Sequence, residues 1–126
     1  MAIFCSGGCL DTFAGIRSGF LPIWSTEIQA DRRRMFEDLT GRPCLGDTFA
    51  IDLTRVQEPV LLYSGQPCPD FSTSHAGRNP PGQHGETGWQ FVAQADKILE
   101  ANPAVVVCEM VPNALWLEDD TDCSCS

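Results

Sequence analysis

Basic residues are scarce in this sequence: Lys and Arg number 8 against 17 Asp and Glu, a formal charge of −9. The imbalance grows along the chain, with 6 basic and 8 acidic residues up to Tyr63, then 2 basic and 9 acidic. A protein that binds DNA unaided neutralises phosphates with a basic surface, so this balance excludes one. No apolar run approaches the roughly 18 residues of a membrane span. Met1-Ala2-Ile3-Phe4 has neither the charged start nor the long apolar core of a signal peptide. The expectation is a soluble protein, cytoplasmic in a prokaryote or virus-infected cell and nuclear in a eukaryote. No Gly-Lys-Ser/Thr follows a glycine-rich turn, which excludes a Walker phosphate loop. The 7 cysteines are odd in number and widely spread, which argues against a secreted disulfide framework and for reduced thiols. Cys5/Cys9 with Cys123/Cys125 lack zinc-ligand spacing, and so do Cys68, His75 and His84. No metal site is expected.

What the chain does have is an alternation of apolar runs and helical patterns. Ala2-Ile3-Phe4 reads as a buried first strand, followed by the small-residue turn Cys5-Ser6-Gly7-Gly8-Cys9. Residues 11–18 read as a helix with Leu10, Phe13, Ala14 and Ile16 against the sheet, ended by Gly19. A second strand spans 21–26, and a helix over 28–39 uses Ile28, Met35, Phe36 and Leu39, with Gly41 after it. Arg32-Arg33-Arg34 reads as a solvated face of that helix. Pro43-Cys44-Leu45 reads as a short third strand and Val60 to Tyr63 as a fourth. A long loop over 64–86 leads to a helix over 87–101, with Trp89, Val92, Ala95, Ile98 and Leu99 at helical spacing. Ala104 to Cys108 is a β-branched run typical of a central parallel strand. This order implies an α/β fold, a parallel sheet of about five strands with helices on both faces. The acidic tail 116–126 reads as disordered, leaving 1–115 as one domain.

Three positions carry chemistry. Glu27 lies 20 residues after Gly7, where nucleotide-binding α/β folds place an acid on ribose hydroxyls. A helix-start carboxylate is the plainer reading of that residue. Asp47 suits an adenine amino group or simply a turn. Cys68, held between Pro67 and Pro69 just past a strand, sits on a stiff turn that aims its side chain. That marks it as a candidate nucleophile, against the alternative of a buried free thiol.

The ordered set resembles the N-terminal half of a DNA (cytosine-5) methyltransferase over roughly residues 3–115. Phe4-Cys5-Ser6-Gly7-Gly8-Cys9-Leu10-Asp11 resembles the family's Phe-x-Gly-x-Gly-Gly cofactor loop, and Gly65 to Ser72 its Pro-Cys-x-x-Phe-Ser motif. Cys108-Glu109-Met110-Val111-Pro112 resembles its Glu-Asn-Val motif. Ser6 and Cys9 stand where the family has glycines, Pro69 where it often has Gln, and Met110 where it has Asn.

The resemblance implies an incomplete Rossmann-like S-adenosylmethionine-dependent methyltransferase fold. It implies S-adenosyl-L-methionine as cofactor over Phe4, Gly7, Gly8, Leu10 and Pro67, with Glu27 on the ribose and Asp47 on the adenine. It makes Cys68 the nucleophile towards cytosine C6 and Glu109 the partner of ring N3. These 126 residues hold neither the family's target-recognition region nor its closing helix. DNA is therefore an expected partner only when another chain or segment, such as a complementing methyltransferase subunit, completes the enzyme. The alternative is a non-catalytic remnant serving as a cofactor-binding or protein-interaction module. A nicotinamide-nucleotide protein ranks last, since Gly-x-Gly-x-x-Gly is absent and Cys68 and Glu109 would have no task.

Overall fold

Four parallel strands form one sheet in the computed structural model, which describes residues 1–65 and 89–110. They are β1 (Ala2–Phe4), β2 (Trp24–Ser25), β3 (Leu61–Gly65) and β4 (Val105–Glu109), in the order β2-β1-β3-β4. The helices are α1 (Leu10–Arg17), α2 (Ala30–Thr40) and α3 (Trp89–Ala101). Two 3-10 turns, Thr48–Ala50 and Leu53–Arg55, precede β3. The protein is therefore α/β, with an all-parallel sheet.

The expected third strand is reduced to a bridge between Ser25 and Cys44. Pro43 has no N–H to extend the ladder. Gly41 at φ 65° and Gly46 at φ 87° turn the chain on either side of it. The segment still sits beyond β2, with Leu45 N–H donating to the Ser25 carbonyl at 2.8 Å. The chain thus winds outward from β1 through β2 to Cys44, then returns to lay β3 against the other side of β1. The strand order reverses between β1 and β3, and ligands bind at the carboxyl ends of strands at such a switch point.

Strand alternation divides the core. Ala2, Phe4, Trp24 and Leu62 share one face with Leu53 and with Ala101 of α3. Ile3 and Leu61 share the other with Met1, Cys9 and Phe36 of α2. Trp24 is 2% exposed, lies 6.0 Å from the Phe4 ring, and donates its indole N–H to the Gln57 carbonyl at 2.8 Å. Trp24→Phe keeps most of the packing and removes that bond. Gln57 is exposed, so water re-satisfies its carbonyl, and urea denaturation should show a loss of about 1 kcal/mol.

The helices form close to where the pattern puts them, but two turn differently. In α1 the buried residue is Thr12, while Leu10, Phe13 and Ile16 are exposed. The helix approaches the sheet on its small side: a Cβ on Gly15 would lie 2.2 Å from the Met1 sulfur. In α3 the inward side chains are Gln94, Ile98 and Ala101, while Trp89, Val92 and Leu99 are exposed. Phe36 is the buried residue of α2; Ile28 lies before the helix, and Met35 and Leu39 are exposed on it. The β-branched run over β4 is a strand, but it is the sheet's edge among the described residues, and all five residues are exposed. β-Branching marks fit to a pleated surface, not a central position.

Among the described residues no helix is long and apolar enough to cross a membrane.

Candidate functional site

A crevice of about 510 Å³ opens at the carboxyl ends of the strands, with Gly7, Glu27, Asp47, Phe49, Trp89 and Glu109 among its lining. Its floor is the turn after β1. Cys5 and Cys9 both take left-handed backbone conformations there, at φ 55° and 61°. Cys9 adopts the conformation that glycine reaches most cheaply, so the turn persists without glycine there. The Cys5 N–H donates to Thr26 Oγ1 at 3.2 Å, and the Thr26 and Thr48 hydroxyls bond at 2.6 Å. These contacts lock the turn to the end of β2 and to the 3-10 turn at Thr48.

Glu27 is 6% exposed. Its Oε2 accepts the Gly7 N–H at 2.9 Å and its Oε1 accepts the Gln29 N–H at 2.9 Å. One lone pair on each oxygen is therefore fixed by backbone, and the second remains for a ligand hydroxyl. Its own N–H donates to the Gly46 carbonyl at 2.8 Å. Arg33 closes the turn behind it, donating to the Glu27 and Ile28 carbonyls at 3.2 and 2.7 Å. The arginine run is thus not simply a solvated face: Arg33 braces the Glu27 turn and Arg32 lines the crevice.

Asp47 caps the Thr48–Ala50 turn, its Oδ1 accepting the Phe49 N–H at 3.0 Å, and it also borders the crevice. The turn role and the ligand role are compatible. Phe49 and Trp89 meet with centroids 5.2 Å apart and form an aromatic wall. The sequence pattern marks Trp89 only as part of a helical stripe and gives neither Phe49 nor Thr48 a place in the site. Ile28 also lines the crevice, and its place directly after Glu27 was the available signal.

Glu109 lies at the end of β4, in register with Gly65 at the end of β3. The strands leading to Cys68 and carrying Glu109 are therefore neighbours, and Glu109 faces the crevice. Cys68 and Pro67, like His75, His84, Cys123 and Cys125, lie outside the described residues. Phe4 is fully buried against Trp24 and belongs to the core. Alternation sends its side chain to the α3 face of the sheet, and Cys5 lines the crevice in its place. Gly8 is exposed and Leu10 is 81% exposed, and neither lies in the crevice wall.

Behind the end of β3, Gln94 of α3 is fully buried and donates its amide to Ser64 Oγ at 2.5 Å. This bond fastens α3 to the end of β3, the strand that precedes Cys68 in the sequence. The Cys5 thiol is pushed up, first by burial and further by the nearby Glu27 and Asp47 carboxylates, while a Thr48 hydrogen bond opposes them. Cys5 is thereby a protonated thiol at neutral pH and a poor nucleophile.

No family model matches the chain, and no curated protein is similar to it. The site's geometry and the sequence motifs together carry the functional reading.

Proposed function

We propose that this chain is the cofactor-binding, nucleophile-bearing half of a DNA cytosine-5 methyltransferase, and that it works only when another chain or segment completes it. The observation that carries this reading is Glu27. Its carboxylate is held by two backbone N–H groups at the strand-order switch point, and Glu109 borders the same crevice. The volume suits a nucleoside-sized ligand. Three carboxylates line it beside one arginine, Arg32. That balance suits a cationic sulfonium and disfavours the pyrophosphate of a nicotinamide dinucleotide.

S-Adenosylmethionine bound there supplies an electrophilic methyl group. Glu27 would hold the ribose hydroxyls, Asp47 the adenine amino group, and Phe49 would offer an apolar wall. Cytosine must leave the duplex to reach this pocket. The Cys68 thiolate would form a bond to ring C6, pushing electrons towards C5. Glu109 would hydrogen-bond N3 and favour its protonation, so that negative charge does not accumulate on the ring. After methylation, loss of the C5 proton expels Cys68 and restores aromaticity.

The acidic chain offers little to DNA phosphates, so the partner would supply the duplex contacts. The expected results are heat on calorimetric titration with S-adenosylmethionine and no methylation of duplex DNA by the 126-residue chain alone. Turnover that Cys68→Ser abolishes would remove the need for a partner. A folded chain that produces no heat would leave a protein-interaction module as the better reading, one that the exposed β4 already accommodates.

A further inference from the structure

The sheet is covered unequally. α1 and α2 lie on the Ile3 face and α3 on the opposite face. Leu61 is packed in the Phe36 cluster, but beyond it, over Tyr63 and β4, the Ile3 face has no covering element among the described residues. Register places Val105, Val107 and Glu109 beside Leu61, Tyr63 and Gly65 on that face. A groove of about 350 Å³ runs there between α1 and the two strands, with Ala14, Phe20, Tyr63, Val105 and Val107 in its walls. Phe20 is 38%, Val105 52% and Val107 42% exposed. A half-covered sheet face of this kind is normally closed by a helix layer.

Charge selects the occupant. Asp11 lines the groove at the start of α1, and its carboxyl is raised by burial and further by the Glu109 carboxylate. Tyr63 is raised by burial and by the same two groups. A second copy of a chain with charge −9 is repelled. The chain's own residues 111–126 bring Glu118, Asp119, Asp120 and Asp122 and no basic side chain, which mismatches an anionic end.

We propose that this groove docks a basic amphipathic helix of a partner protein, its apolar stripe on Tyr63, Val105 and Val107 and a Lys or Arg beside Asp11. A five-residue strand is matched by roughly three helical turns. The inference rests on fold and charge and does not depend on the methyl-transfer reading.

The test uses the full chain and two fluorescent probe helices of roughly 15 residues. Both carry the same leucine stripe, and their charged positions are all Lys in one and all Glu in the other. Anisotropy should show saturable binding of the Lys probe and none of the Glu probe. Val107→Lys and Asp11→Asn, each checked for folding by circular dichroism, should each weaken the Lys probe about tenfold. Asn retains the acceptor for the Thr12 N–H that Asp11 now bonds at 2.9 Å, so this change removes charge and little else. Equal binding of the two probes would overturn the proposal, as would indifference to Asp11→Asn. A dimer seen by light scattering and broken by Val107→Lys would assign the groove to a second copy and overturn it. Displacement of the Lys probe by a peptide of residues 111–126 would assign it to the chain's own tail, with the same consequence.

Discussion

Phe36→Ala is expected to cost about 3–5 kcal/mol of stability in urea denaturation, the range for losing a buried phenylalanine. Phe36 is fully buried and alone among the described residues of α2 in being so. It joins the helix to Met1, Ile3, Cys9 and Leu61, while Met35 and Leu39 are largely exposed and cannot replace it. For a domain with a total stability of about 5–15 kcal/mol, the loss is large enough to leave a visible unfolded fraction. It also reaches the site. α2 begins just after the turn in which Gln29 bonds Glu27, so freeing the helix loosens that carboxylate. Phe36→Leu keeps most of the volume and should cost under about 1.5 kcal/mol. An alanine variant losing less than about 1 kcal/mol would mean that α2 is held by its ends and not by this side chain.

The fold was legible where the signal is local. The apolar run ending at Tyr63 and the β-branched run ending at Cys108 became the paired strands β3 and β4, and Gly41 stops α2 in the left-handed conformation that its position suggests. The faces were less legible. Reading Leu10, Phe13 and Ile16 as inward assumes that apolar side chains find a core, and that assumption needs both sheet faces to be covered. Here α1 lies against the sheet through Thr12 and Gly15, and its larger side chains point elsewhere. The same limitation applies to β4, which is the edge of the sheet among the described residues: composition announced a strand, but an edge and a centre use the same residues. The short third strand failed because proline and two left-handed glycines leave it room for a single bridge.

The site shows the same division. Glu27 was visible because strand, turn and helix lengths fix its spacing from Gly7, and the bond between them is present at 2.9 Å. Phe49 and Trp89 were not visible, since a 3-10 turn and the first residue of α3 meet only after the sheet is assembled. The Thr26–Thr48 hydroxyl bond likewise joins segments 22 residues apart that no motif connects. Phe4 illustrates a subtler gap. A loop motif names consecutive residues, but alternation gives one of them to the core and the next to the crevice.

Glu27→Ala is expected to lower S-adenosylmethionine affinity about a hundredfold, a loss of roughly 2.7 kcal/mol. The carboxylate does two things that alanine cannot. It would accept the ribose hydroxyls in charge-assisted bonds worth about 1.5–3 kcal/mol. It also holds Gly7 and Gln29 in place, so its removal leaves two N–H donors without their acceptor and relaxes the turn that forms the crevice floor. Urea denaturation should accordingly show a smaller loss of about 1–2 kcal/mol, with the fold retained. Glu27→Gln is the more telling variant. It matches the shape, but its NH₂ must face one of the two backbone donors, so it keeps one acceptor and sets donor against donor at the other. It should therefore bind almost as poorly as the alanine variant. Asp47→Asn still caps the Phe49 N–H with its amide oxygen but turns its NH₂ towards the adenine amino group, so affinity should fall about tenfold with the turn retained. If calorimetry finds Glu27→Ala within about threefold of the parent, the carboxylate braces the turn and holds no ligand. The cofactor reading would then lose the observation on which it stands.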